Sequence, residues 1–291
     1  MIFKNNMSKK VNVYDVNGNV INQIDLPIYF DLQYREDIIS KVYEALKLNA
    51  KHKYGSYILA GKETSASGKV RHARRRYRTA YGRGISRVPR KILLRRKPQG
   101  FYWVGAFVPS ARGGHRAHPP RPIRRERKIN KKEKFLALLY ALTAIANKNF
   151  VLNRYEKLKG KNVDLSFPVI IDGIEKLKKV KDLKNALKKI FSQVEEVIFK
   201  EKKIRAGKGK RRGRYYKKSA GLLLIKSKDE NINFKTLAID VVDANKVSVK
   251  HLAIGNKPAR LTAFTINGLK ELDERIRKSA EKLNINLEFL K

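Results

Sequence analysis

A three-layer α/β/α domain with a largely parallel central sheet, carrying a long extended basic loop, is the fold that this sequence of 291 residues predicts. Three observations predict it. Continuous apolar runs of four to six residues recur between helical segments, as strands buried on both faces of a sheet require. Amphipathic helical segments lie on both sides of residues 64–125, a stretch of 62 residues with no Asp or Glu. That stretch holds 18 Lys or Arg and six of the nine prolines, a composition that builds no core of its own.

Taken in order, residues 11–16 and 19–24 flank Asn17-Gly18, a pair that favours a tight hairpin turn with positive φ. Asp31 is placed to cap a helix over 35–48, whose apolar stripe is Ile38, Ile39, Val42 and Leu46. Residues 57–60 read as a short buried strand. Beyond the acid-free stretch, 132–150 reads as one helix with Phe135, Leu138, Leu139, Leu142 and Ile145 on one face. A strand at 168–171 and a charged helix over 178–191 follow. Apolar runs at 195–199, 221–225, 237–242 and 261–264 supply further strands, and 267–283 is a terminal helix. Because helices flank the excursion, the expectation is one globular domain, 1–62 with 129–291, and an inserted loop at 63–128.

Charge narrows the function. With 68 Lys+Arg against 26 Asp+Glu the chain carries +42 formal charges, which excludes an ordinary metabolic enzyme, while 42% hydrophobic residues leave a sizeable core. Self-repulsion on this scale calls for a polyanionic partner, nucleic acid first. A second run, 200–218, has 11 basic residues against Glu201 alone, so the two segments hold 28 of the 42 excess charges. Absence of cysteine excludes disulfides, Cys-ligated zinc and thiol nucleophiles. The longest apolar stretch, 135–146, falls short of the roughly 20 residues of a membrane span. The start, MIFKNNMSKK, lacks a signal-peptide core. A soluble intracellular protein is expected, with translation beginning at Met1 or Met7, and neither a membrane nor a small-molecule substrate as partner.

Within the excursion, Arg71, His72, Arg74, Arg75, Arg76, Arg78, Arg83, Arg87, Arg90, Arg95 and Arg96 are interleaved with aromatics including Tyr77, Tyr81 and Trp103. Arg112, His115, Arg116, His118, Arg121, Arg124 and Arg125 follow. Guanidinium forks bond phosphates bidentately and rings stack on exposed bases, the two contacts that RNA binding uses most. Glycines at 82, 84, 100, 105, 113 and 114 permit close backbone approach, and the prolines stiffen the path. As two arms of about 31 residues the loop can reach on the order of 100 Å. In the second run, Arg205, Lys208, Lys210, Arg211, Arg212 and Arg214 are candidate contacts of the same kind. No base-reading code is visible, so shape and backbone recognition are expected.

Other motifs carry less. Gly82-Arg-Gly84 and Gly207-Lys-Gly209 lack the third glycine and preceding strand of a dinucleotide loop, and residues 55–62 have the wrong glycine spacing for a phosphate loop. His115 and His118 have no third metal ligand nearby and three arginines around them. A ribonuclease using His72, His115 or His118 as acid and base is the enzymatic alternative, but the acid-free stretch offers no carboxylate to orient an imidazole. A generic nucleic-acid-compacting protein is the other. Asp172 with Glu175, and Asp240 with Asp243, read as cap and turn residues.

Three stretches then carry a resemblance: Tyr81-Gly-Arg-Gly-Ile-Ser-Arg-Val-Pro-Arg90, Gly113-Gly-His-Arg-Ala-His-Pro-Pro120 and Arg205-Ala-Gly-Lys-Gly-Lys-Arg-Arg-Gly-Arg-Tyr-Tyr-Lys217. With Leu26-Pro-Ile-Tyr-Phe, Arg35-Glu-Asp-Ile-Ile and Phe167-Pro-Val-Ile-Ile-Asp172 in the same order, the chain resembles the universal large-subunit ribosomal protein four family in its archaeal and eukaryotic form. The resemblance covers about residues 11–283. It implies a structural, non-enzymatic constituent of the cytoplasmic ribosome that stabilises large-subunit rRNA. It also implies a loop that helps line the nascent-peptide exit tunnel near ribosomal protein twenty-two. Gly82, Gly84, Trp103, Gly113 and Gly114 are the tunnel-tip candidates. No cofactor is implied, and magnesium nearby would belong to the rRNA. Two departures from the family pattern are the apolar run at 101–107 and His115, where arginine is common.

Overall fold

The computed structural model describes residues 9–52, 55, 57–63, 66, 88–96, 100–111, 113–119, 126–177, 179–199, 203–217, 220–232 and 239–290. Its elements in chain order are β1 (Lys10–Tyr14), β2 (Val20–Asp25), α1 (Glu36–Asn49), β3 (Arg90–Arg96), β4 (Gly100–Gly105), α2 (Lys131–Ala146), α3 (Lys148–Arg154) and β5 (Val169–Ile171). These are followed by α4 (Val180–Ile190), α5 (Glu195–Ile198), β6 (Leu222–Lys226), β7 (Ile239–Asp243), α6 (Val249–Leu252), β8 (Thr262–Thr265) and α7 (Ile266–Leu283). Contacts divide the chain into two units, Met1–Ala50 with Glu126–Lys291, and Lys51–Arg125.

The first unit is built on a six-stranded sheet of order β2-β1-β5-β8-β6-β7. Only the β1–β2 pair is antiparallel. Every residue of β5, β6 and β8 is buried, because helices cover both faces and a strand in that position has no polar side to show. Side chains alternate between two cores. Val13, Ile170, Leu223, Ile225 and Phe264 pack with α1, α2, α6 and α7 on one face. Tyr14, Val169, Ile171, Leu222, Leu224 and Ala263 pack with α3, α4 and α5 on the other. The predicted three layers are therefore present.

Chain entry and exit of the excursion are fixed inside this unit. The Asn49 side chain donates through Nδ2 to the Arg127 carbonyl at 3.1 Å and accepts the Arg127 amide at 3.0 Å. Lys41 pairs with Glu133 at 2.7 Å, linking α1 to the first turn of α2. A bidentate amide clamp of this kind satisfies two backbone groups that would otherwise need water.

Three arginines brace the loops between strands and helices. Arg260, 1% exposed, donates to the carbonyls of Gly221 (2.8 Å), His251 (3.2 Å) and Leu222 (3.4 Å) and to Asp240 at 2.6 Å. Arg154 donates to Pro258 and Ile254, and Arg275 to Ala244 and Val247. Desolvation lowers the pKa of both Arg154 and Arg275, and backbone carbonyls supply the compensation.

Several expectations need correction. Residues 57–60 form a turn, not a buried strand: Tyr57 and Ile58 are 60% and 76% exposed. The helix expected over 132–150 breaks at Asn147, bending by 89° between α2 and α3, where the Asn147 side chain accepts the Asn149 amide and caps the second piece. From Phe135 onward α2 is buried almost all round, so its apolar residues mark a central helix and not one face. Residues 195–198 are the short helix α5. Asp31 does not cap α1, which starts at Glu36 after Arg35; its carboxylate pairs with Lys9 instead. Asp240 is a strand residue bound to Arg260, and Asp243 pairs with Lys226 and Lys246. The hairpin holds, although its connection spans Asp15 to Asn19, with Gly18 at φ +90°. Among the described residues, no single helix is long and apolar enough to cross a membrane.

Candidate nucleic-acid interface

The run of cations at 203–217 is an exposed loop of the first unit, closed by its own backbone hydrogen bonds. An antiparallel bridge joins Ile204 and Tyr216, and the Arg205 amide bonds the Tyr215 carbonyl at 2.8 Å. Between these legs, Gly207–Arg212 winds as a 3-10 helix and Gly213 ends it in the left-handed region at φ +73°. A β-carbon there would be strained, so glycine is the residue that allows the chain to turn back. The Arg205 side chain folds inward and donates to the carbonyls of Arg214 (3.2 Å) and Tyr216 (3.5 Å). Gly209 packs against that side chain so closely that a β-carbon would lie 2.5 Å from Arg205 Cδ.

The result separates one arginine from the others. Arg205 spends donors on the loop, whereas Lys208, Lys210, Arg211, Arg212 and Arg214 are exposed and, among the described residues, none pairs with a carboxylate. At the base, the rings of Tyr215 and Tyr216 meet edge to face at 5.1 Å and are 49% and 45% exposed. Free ammonium and guanidinium donors beside exposed rings can bond phosphates and stack a base. Sequence reasoning counted Arg205 among the contacts and assigned the tyrosines no role; adjacent aromatics inside a cation run were the available signal.

The second unit contains a two-stranded sheet that an extended loop does not anticipate. β3 and β4 pair antiparallel with Ile92 opposite Trp103 and Leu94 opposite Tyr102. The Ala106 amide continues the pairing to the Pro89 carbonyl at 2.7 Å. The Arg90 side chain is buried; Arg95, Arg96 and Trp103 are strand residues of this hairpin. After it, the Gly114 amide bonds the Ala111 carbonyl, and Gly113 sits at φ +68°. The His115 ring lies against Phe107 at 5.7 Å, with the Lys62 ammonium 5.9 Å from the same phenyl ring. Arg116 and His118 are exposed. Arg71, His72, Arg74, Arg75, Arg76, Arg78, Arg83, Arg87, Arg112, Arg121, Arg124, Arg125, Gly82 and Gly84 lie outside the described residues.

Among the described residues this geometry assembles no reaction centre. His115 Nδ1 is buried without a hydrogen-bond partner among the described residues, so no carboxylate orients it as a base. Among those residues no group of three His, Asp or Glu side chains could hold a metal ion. Glu175 and Glu230 lie beyond the carboxyl ends of β5 and β6. There desolvation, then a hydrogen bond to Glu230, raises the Glu175 carboxyl. The Ser227 amide and the Thr265 hydroxyl donate to Glu230 and hold it in place, which suits a structural knot at the carboxyl end of the central strands.

Comparison with known sequences agrees with the chemistry. Residues 24–275 match the family model described as the ribosomal protein L4/L1 family. The chain is similar to large ribosomal subunit protein uL4 of Nanoarchaeum equitans, 37% identical over 271 residues that span 91% of this chain and 98% of the relative. It is also similar to uL4 of Saccharolobus solfataricus, 37% identical over 281 residues (94% and 97%). Against uL4 of Sulfurisphaera tokodaii it is 35% identical over 275 residues (92% and 95%).

Proposed function

The chain belongs to the ribosomal protein L4/L1 family, structural rRNA-binding constituents of the large ribosomal subunit and not enzymes, and we propose from this that two of its segments enter the RNA. One is the loop at 203–217; the other is the excursion at 63–128, inserted in a single globular domain of 1–62 and 129–291. The observation that carries the proposal is the set of five exposed cations in the 203–217 loop that pair with no carboxylate among the described residues. In folded RNA each such cation replaces condensed counterions around closely spaced phosphates, and the arginines of 71–78, 83–96 and 112–125 do the same along the excursion.

On this reading Arg205 shapes the loop, Lys208, Lys210, Arg211, Arg212 and Arg214 grip phosphates, and the tyrosine pair receives a base. The excursion's tip, within 82–114, helps line the nascent-peptide exit tunnel beside ribosomal protein twenty-two. Magnesium in the neighbourhood is held by rRNA phosphates and not by the protein. The particle is cytoplasmic.

The test is direct. After sucrose-gradient fractionation of a cell lysate, the chain should sediment almost wholly with the large subunit, and labelled rRNA incubated with the purified chain should stay intact. A large free pool, or specific RNA cleavage, overturns the proposal. Equal affinity for duplex DNA and folded rRNA at physiological salt would point to the compacting protein instead.

A further inference from the structure

One surface of the first unit has chemistry unlike the rest of a +42 chain. An open groove of about 630 Å³ runs beside the C-terminal half of α7, between that helix, residues 27–29 and the terminal segment 284–288. Asp273, Glu281 and Glu288 line it, and the one cation among the described lining residues, Arg277, is already paired with Asp273 at 2.9 Å. Apolar wall is supplied by Ile28 and Leu287. Tyr29 also lines the groove; the residue is 1% exposed and its hydroxyl has no hydrogen-bond partner among the described residues. Burial raises its pKa, Asp273 raises it further, and the phenol stays neutral, able to donate and accept.

We propose that this groove seats a lysine- or arginine-bearing segment of a neighbouring large-subunit ribosomal protein, an inference that rests on the chain being assembled in that subunit. Charge decides the class of partner. Two exposed glutamates, with Arg277 consumed by Asp273, repel phosphate and attract ammonium or guanidinium, so RNA is disfavoured here although it is favoured elsewhere on the chain. The aliphatic stem of a lysine or arginine lies on the apolar wall while its head reaches Glu281 or Glu288. Seating the segment opens the cover over the Tyr29 hydroxyl, which is buried in the free chain, and lets a backbone carbonyl or amide of the segment partner that orphan donor.

The experiment uses intact large subunits. A photoreactive benzoylphenylalanine replaces the exposed Asn286, the subunits are irradiated, and crosslinked residues are mapped. A crosslink to a cationic segment of a ribosomal protein is expected, and Glu281→Lys with Glu288→Lys should cut its yield by about tenfold or more while the chain still sediments with the subunit. Tyr29→Phe keeps the ring packed and should lower the yield several-fold without loss of assembly. Crosslinks to rRNA or to a neutral or acidic segment, absence of any crosslink, or a yield that neither variant alters overturns the inference. Failure of the unsubstituted chain to enter the large subunit would instead strike the functional reading, and the gradient separates the two.

Discussion

Replacing Lys210, Arg211 and Arg212 together by Gln should change how binding to large-subunit rRNA responds to salt, because all three are exposed and unpaired in the 203–217 loop. Each cation that meets a phosphate contributes about 0.7 to 0.9 to the slope of log affinity against log salt, so the triple variant should flatten the slope by roughly 2 to 3. At physiological salt the same term predicts a loss of roughly 50- to 150-fold in affinity, or about 2 to 3 kcal/mol. The assay is filter binding or fluorescence anisotropy with an rRNA fragment over a salt series, using circular dichroism to confirm an unchanged fold. Arg205→Lys is the control. It keeps the charge but loses the planar fork that reaches two carbonyls, so affinity should fall through a loosened loop with little change in slope. If the triple variant leaves the slope unaltered, these cations do not grip phosphates and the loop's assignment fails.

Two further outcomes concern the body. Arg260→Met should destabilise the isolated chain by about 2 to 4 kcal/mol in urea unfolding, since three carbonyls and Asp240 lose a buried donor set; a loss under about 0.5 kcal/mol would show the site rehydrates freely. His251 accepts the Ser248 amide through Nδ1, closing the start of α6, and burial, then Lys250 and Arg260, lower its pKa below 6.5. The unfolded chain therefore binds more protons as pH falls, so this stability is present above about pH 6.5 and drains away in more acidic solution. His251→Gln, which keeps an acceptor without titrating, should flatten the urea midpoint against pH in that window; an unchanged profile refutes the account.

Much of the body was legible because buried parallel strands leave a strong trace. The runs at β5, β6 and β8 are apolar without interruption, and only a sheet covered on both faces buries every residue of such a run. The same rule misleads at 57–60, where an apolar run is left exposed in a turn, and at 195–198, where four residues are too few for a period to declare helix or strand. Asn147 is a helix break that an unbroken apolar stripe hides: Asn is a favoured N-cap, and the bend exists because its side chain caps the next helix. In the excursion, charge obscured the hairpin. Ile92, Leu94, Tyr102 and Trp103 are strand formers that pair across β3 and β4, with Pro98-Gln99-Gly100 as a turn signal in the sequence between them.

Sequence also could not say which cations are free to bind, and that distinction governs what +42 means. An arginine contributes to the long-range field wherever it sits, but it grips phosphate only with donors that nothing else has taken. Arg154, Arg260 and Arg275 have committed theirs to carbonyls that end strands and helices, and Arg205 has done so within the loop it shapes. These four raise the net charge as much as Arg211 or Arg212 does, yet removing them should damage shape first and phosphate binding only through shape. Counting unpaired, exposed donors ranks the loop at 203–217 above the equally basic residues that brace the body. The same count explains why an acid-lined groove can persist on a polycation: Arg277 is spent on Asp273, which leaves Glu281 and Glu288 facing the groove. They are therefore not neutralised by the distant charge meant for RNA, which salt screens within about 8 Å.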